Sequence, residues 1–294
     1  LDPAGDLEPG AAFCPPEGDA GTGMTATNSV RENTGNVSAG TSIFSMVVLD
    51  KPLKDYYKEI DVVATPVGKP VAMVHCNNCT NDMNAWAGVL AEFVSAAESI
   101  RTGQAAQEPD LGAVYQTIYR KALEGDPDCG GTVVCNYIAG EPVTGVEKGQ
   151  PMVTRDPGRP FRLANLCRAI LYSAVTSLKI GMDVMKNENI RIDRLIGHGG
   201  LFQNGTVAAE FLAGALKSRV SVMDTAEVGG PYGMALLARY CIRKEEGESL
   251  EDFLEKKVFQ NVGIHTSEPE EACAEGFDAY AKSFRELIGR MNLS

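Results

Sequence analysis

The stretch VSAGTSIFSMVVL, Val37 to Leu49, sets Gly40, Thr41 and Ser42 between two β-prone runs. A hairpin tip of this composition can aim backbone N–H groups and two hydroxyls at one point, because glycine lacks the Cβ that would hold a ligand away. Phosphate oxygens are natural acceptors there; a tight turn is the plainer reading. A second glycine site is LIGHGGLFQN, where a strand ending at Ile196 passes through Gly197, His198, Gly199 and Gly200 into a helix. Such a junction leaves a helix N-terminus free to face an anion or a base edge, although a plain loop accounts for the glycines equally well. The spacing is not Gly-x-Gly-x-x-Gly, so it does not indicate a dinucleotide site. Asp19, in EGDAGTGM, is a carboxylate among glycines: a turn former, or a general base if a substrate hydroxyl comes within reach. His75, His198 and His265 are scattered, and no Ser/His/Asp set emerges.

The composition narrows the field. A chain of 294 residues with 44% hydrophobic and 22% charged content can bury a sizeable core, as one large domain or two small ones. Its formal charge of −12 argues against a phosphate-backbone binder, which needs Lys and Arg to displace counterions, so no nucleic-acid partner is expected. No apolar run reaches the length of a membrane span, and Leu1 to Gly10 lacks the basic and apolar regions of a signal peptide, which points to the cytoplasm. The absence of an initial Met suggests a fragment. The eight cysteines then read as reduced thiols. Cys76 and Cys79 form a C-x-x-C beside His75, but the next pair, Cys129 and Cys135, has the wrong spacing for zinc, so no metal site is expected and packing is the preferred role.

The elements that must position these residues follow from periodicity. The first 35 residues read as loop and turn, residues 36 to 49 as a hairpin, and PVAMVHC (70 to 76) as a third strand. Trp86, Leu90, Phe93, Ala97 and Ile100 predict a helix from Asp82 to Arg101, with Asn81 as its cap and Gly103 as its stop. Helices are also predicted over 110–124, from Leu163 through Met182, over 204–217, and from Pro231 through Ile242. TVVCNYI (132 to 138) and RVSVM read as strands, and 139–160 as an irregular excursion. Phe277, Tyr280, Phe284, Leu287 and Met291 mark an amphipathic closing helix. The order is that of a mixed α/β layer protein.

Read end to end, CPPEGDAGTGM, TGNVSAGTSIF, RLIGHGGLFQN and EVGGPYGMALLA resemble, in this order, the C-terminal half of the FGGY carbohydrate kinases, nearest to xylulokinase-like and ribulokinase-like pentulose kinases. The resemblance implies an α/β, ribonuclease H-like (actin-like ATPase) fold with a mixed sheet flanked by helices. It divides the chain into a lead-in with the catalytic-Asp loop (1–35) and a nucleotide-binding domain (36–294). It implies that Asp19 takes the proton from a sugar hydroxyl, that Gly40, Thr41 and Ser42 approach the ATP phosphates, and that Gly199, Gly200 and Asn204 hold the adenosine. The segment from Glu227 to Ala238 would lie behind the nucleotide. ATP and Mg²⁺ are the implied cofactors, a ketopentose the implied acceptor, and a homodimer is compatible with it. Ala20 departs from the amide residue common after the catalytic Asp, which puts the sugar specificity in doubt. No Asp-x-Gly-Thr motif occurs, so the family's N-terminal half, with most sugar contacts, is missing, and the isolated chain is expected to be inactive. A non-catalytic binding module and a sugar-independent ATPase on the same fold are the alternatives.

Overall fold

The computed structural model describes residues 3–6, 10, 12–105, 107–225 and 229–291. The chain opens with α1 (Asp19–Ala26) and then β1 (Thr34–Ala39), β2 (Ile43–Val48), β3 (Asp61–Ala64) and β4 (Pro70–Cys76). Next come α2 (Asn81–Thr102), α3 (Leu111–Leu123), β5 (Thr132–Cys135), β6 (Met152–Arg155) and α4 (Leu163–Asn187). The last part holds β7 (Arg194–His198), α5 (Val207–Leu216), β8 (Val220–Met223), α6 (Gly229–Arg243), α7 (Leu250–Phe253), β9 (Ile264–Ser267) and α8 (Glu271–Met291).

Seven strands form one sheet in the order β3-β4-β2-β1-β7-β8-β9, with β1, β7 and β8 mutually parallel and the remaining pairs antiparallel. Strand alternation sends successive side chains to opposite faces, so the sheet separates two cores. Ile43 and Val47 of β2 enter one, Met46 and Val48 the other; Ala72 and Val74 of β4 divide from Val71 in the same way. The larger core takes Ile118 of α3, Tyr172 of α4, Phe211 of α5, and Phe277, Tyr280 and Phe284 of α8. The smaller core joins Met24 of α1 to Leu236 of α6, to Leu250 and Phe253 of α7, and to Phe259.

Several expectations are corrected. Residues 19–26 are helical, not turn, and Asp19 is the first residue of α1 with Gly18 as its cap. Gly and Thr are poor helix formers, so packing holds this segment: Met24 is fully buried, and a Cβ on Gly233 of α6 would sit 1.9 Å from the Thr22 carbonyl oxygen. Asn81 is the first helical residue of α2; Thr80 precedes it as N-cap. The buried stripe of α2 is Met83, Ala87 and Ala91, whereas Phe93 and Ile100 are 70% and 86% exposed. Alanines carry that face, and the apolar residues chosen from sequence lie beside it.

Residues 132–135 pair with β6 in a separate two-stranded ribbon and do not join the main sheet. β7 runs past Ile196 to His198, its ladder with β1 continuing through Gly197 and His198, and Gly197 lies under the Phe202 ring, whose Cε1 a Cβ would meet at 2.7 Å. α5 begins at Val207, leaving Asn204 in the turn before it, and α6 starts two residues ahead of Pro231. The strands β3, β6 and β9 and the short α7 have no counterpart in the sequence reading. Glu227 and the side chain of Met291 lie outside the described residues.

Candidate functional site

The β1–β2 tip is built from backbone contacts. Gly40 N donates to the Ser42 carbonyl at 2.9 Å, which closes the turn, and the Gly40 carbonyl accepts from Thr80 N (3.1 Å) and Thr80 Oγ1 (2.8 Å). The Thr41 carbonyl accepts from Cys79 N at 3.1 Å. These bonds occupy the tip's carbonyls from below, while Thr41 is exposed and Gly40 and Ser42 are half-exposed.

The loop that grips the tip is held in turn by Asn78. Its Oδ1 accepts from the N–H groups of Ile138 (3.0 Å) and Ala139 (2.9 Å), and its Nδ2 donates to the Ala139 carbonyl and to Glu141 Oε2, both at 3.1 Å. Asn136 Nδ2 donates to the Cys79 carbonyl at 3.1 Å. Glu141 is fully buried, and that burial raises its carboxyl above the usual range against the pull of the Asn78 bonds. Burial likewise pushes the thiols of Cys76 and Cys79 up, which leaves them poor nucleophiles and poor ligands. Among the described residues no group of three or more His, Cys, Asp or Glu is placed to hold a metal. The C-x-x-C segment brackets the hairpin tip, Cys79 N donating to the Thr41 carbonyl and Cys76 pairing with Ile43 in the β2–β4 ladder.

The second glycine site touches the first. In the β1–β7 ladder Ser38 pairs with His198, and Gly199 follows at φ 96° with its absent Cβ only 2.5 Å from the Ala39 carbonyl oxygen. Only glycine fits there. Gly40 and Gly200 differ: neither has a positive φ, and a Cβ on either meets nothing within 4 Å. The fold does not require glycine at these two positions, so their missing side chains leave room for something else. Beyond Gly200, half-buried Asn204 joins Gln203 and Gly205 in lining a shallow pocket of ≈ 280 Å³, with Gln116, Tyr119 and Arg120 of α3 as its opposite wall. Tyr119 anchors this wall by donating to the Leu201 carbonyl at 2.8 Å. No signal in the sequence pointed to these α3 residues, since they reach the site from the segment between β4 and α4, far from the quoted motifs. A larger apolar cavity of ≈ 560 Å³, between α2 and α3 over Ile118 and Cys167, includes none of the predicted site residues.

Asp19 is exposed at the start of α1, its Oδ1 accepting only from Ala20 N at 2.9 Å among the described residues. Four residues on, and so on the same helix face, a Cβ on Gly23 would lie 3.6 Å from Asn36 Nδ2 and 4.0 Å from the His198 ring. Asn36 Nδ2 and His198 Nε2 are 3.3 Å apart. Desolvation lowers His198 to about 4, so the imidazole is neutral at pH 7. Asn36 is fully buried and its Oδ1 has no partner among the described residues, an arrangement that costs about 1–3 kcal/mol. Asp19, the hairpin tip and the glycine turn are thus linked through α1, β1 and β7, whereas Asn204 stands apart on the α3 side.

Residues 35–241 match the model of the FGGY family of carbohydrate kinases, C-terminal domain. Among solved structures, the xylulose kinase from Rhodospirillum rubrum superposes with a TM-score of 0.70 at 16% identity, over 92% of this chain and 50% of that one. The xylulose kinase from Bifidobacterium adolescentis gives 0.67 at 18%, over 95% and 49%. The Plasmodium falciparum glycerol kinase, solved with ADP, gives 0.64 at 14%, over 93% and 50%. At these identities the likeness is one of fold, that of the actin-like ATPases, and the chain spans about half the length of these structures. No curated protein matches it.

Proposed function

The chain belongs to the FGGY family of carbohydrate kinases, whose C-terminal domain it matches over residues 35–241, and from this premise we propose that it is the nucleotide-facing half of an ATP-dependent sugar kinase. Asp19 acts as general base, taking the proton from a sugar hydroxyl as its oxygen attacks the γ-phosphorus of ATP and ADP leaves. The N–H groups and hydroxyls of Gly40, Thr41 and Ser42 face the phosphates. Gly199 and Gly200 let the nucleotide cross the ends of β1 and β7, and Asn204, opposite Gln116 and Arg120, takes the adenosine. The openness around Gly40 and Gly200 carries this reading: these are glycines that the packing does not need.

Phosphoryl transfer is mainly positioning and charge neutralisation, which suits a site with one carboxylate and many N–H and O–H donors. The donor set fits Mg²⁺ as an ion carried by the nucleotide phosphates, since Asp19 is the one carboxylate among the seven candidate site residues and an all-protein octahedral site needs more oxygens. When bound, the ion neutralises phosphate charge. The remaining sugar contacts come from a further half of the protein. A ketopentose such as xylulose or ribulose is the proposed acceptor, supported by the xylulose kinases among the similar structures. The described helices include none long and apolar enough to cross a membrane, and the cytoplasm is the proposed location.

The test uses the full-length protein and ADP release with ketopentoses, gluconate and glycerol. Sugar-dependent turnover should fall by about 10²–10⁴-fold in Asp19→Asn. Affinity for Mg-ADP should be nearly kept. Hydrolysis indifferent to every sugar would make the protein an ATPase of the same fold, and nucleotide binding without turnover would make it a binding module.

A further inference from the structure

We infer that Asn36 and His198 form a positioning pair that sets the height of Asp19 above the glycine turn. The inference rests on the kinase reading of Asp19. The two residues are 162 positions apart yet in adjacent parallel strands, and both are buried. They meet at the point where the three motif segments converge. Gly23, one turn along from Asp19, lies directly over both side chains. His198 is bonded through the chain to Gly199, which abuts Ala39 at the base of the Gly40 tip.

A Cβ at Gly23 would stand in ordinary van der Waals contact with Asn36 Nδ2 and the His198 ring, so the backbone of α1 rests close upon the two side chains. With no side chain of its own, α1 takes its distance from β1 and β7 at this point from the two side chains beneath it. An apolar pair would fill the same space with no orphaned oxygen, yet here Asn36 Oδ1 is buried without a partner among the described residues. A packing role alone does not account for that polarity. A directional bond of fixed length between the two strands does: it holds the imidazole in one orientation, and with it the surface on which α1 rests. Neither side chain needs to touch substrate, so the role is positioning.

The experiment compares full-length wild type, His198→Leu, His198→Gln and Asn36→Leu by steady-state kinetics and by hydrogen exchange of the 19–26 amides. His198→Leu and Asn36→Leu should lower kcat 10- to 100-fold, leave Mg-ADP affinity within twofold, and speed α1 exchange at least tenfold. His198→Gln, which keeps an amide able to bond Asn36, should recover to within about fivefold of wild type in kcat. Should the wild type transfer no phosphate to any sugar, the kinase reading fails, while the exchange data still judge the pair. Unchanged α1 exchange in both leucine variants, or a kcat loss matched by an equal loss of nucleotide affinity, would overturn the proposal. If His198→Leu does not fold, Asn36→Leu decides by the same two readouts.

Discussion

Gly199, Gly200 and Gly40 lie within one small region, yet alanine at each should act through different physics. Gly199 has φ 96° and ψ 178°, a combination open in practice only to glycine, so an alanine there costs about 1–3 kcal/mol of backbone strain. Its Cβ would also stand 2.5 Å from the Ala39 carbonyl oxygen, and parting the ends of β1 and β7 adds about 1–3 kcal/mol of overpacking. The sum is roughly 4 kcal/mol. At about 2 °C per kcal/mol for a domain of this size, Gly199→Ala should lower Tm by about 8 °C. Gly40→Ala and Gly200→Ala meet nothing within 4 Å, so their Tm should stay within about 1 °C of wild type. If the nucleotide passes over these two positions, its phosphates at Gly40 and its adenosine at Gly200, the added methyl instead blocks the backbone approach. Mg-ADP affinity should then fall about tenfold or more, roughly 1.4 kcal/mol. Scanning calorimetry and titration calorimetry on the full-length variants separate the two effects. Equal destabilisation by all three substitutions, or unaltered nucleotide affinity in Gly40→Ala and Gly200→Ala, would refute the division into structural and ligand-facing glycines.

Asn204→Ala should weaken Mg-ADP binding by about two- to tenfold, the worth of one hydrogen bond, with little change in Tm; titration calorimetry reads it. His198 gives stability a pH dependence. Its folded value of about 4 lies below the ordinary 6.5, so the unfolded chain binds more protons between those limits and stability rises with pH across them. Acidification from pH 7 to 4 should therefore remove up to about 3 kcal/mol that His198→Gln does not lose, as measured by urea unfolding at each pH. Cys14 and Cys241 are the described cysteines that are not buried, and a hydrogen bond between the two thiols raises Cys14. Mild oxidation with diamide should join this pair, with loss of two hydrogens in the intact mass, and leave the six buried thiols unreacted with maleimide until unfolding.

The hairpin of β1 and β2 and the long α4 were legible because ordinary core residues fill them and are buried almost throughout, and α8 because it buries one regular apolar face. α1 was not, since DAGTGMTA has the composition of a turn and is helical only against Gly233 and the second core. The true face of α2 was hidden because alanine contributes little to any hydrophobic count, although Ala87 and Ala91 are what it buries. At the site, residue type and setting marked Asp19, Gly40, Thr41, Ser42, Gly199 and Gly200 as candidates, and the family resemblance added Asn204. Their arrangement was out of reach, because the contact of Gly199 with Ala39 and the Asn36–His198 pair exist only through the parallel ladder between β1 and β7. The α3 wall was invisible for a related reason: Gln116 and Arg120 are ordinary polar residues on an exposed helix until the fold sets them opposite Asn204.

The smaller core has a consequence for the order in which the protein takes shape during synthesis. It joins Met24 and Val30 to Leu236, Phe253 and Phe259, so its partners are separated by most of the chain's length. Contacts so distant in sequence carry a large loop-closure cost and form late. The hairpins of the sheet can form while the nascent chain is still growing, but the surface on which α1 settles, part sheet and part α6 and α7, is complete only once α6 and α7 have left the ribosome. The helix bearing Asp19 thus precedes several of its packing partners by more than 200 residues, and its docking is completed only after six of the seven strands of the sheet have been made.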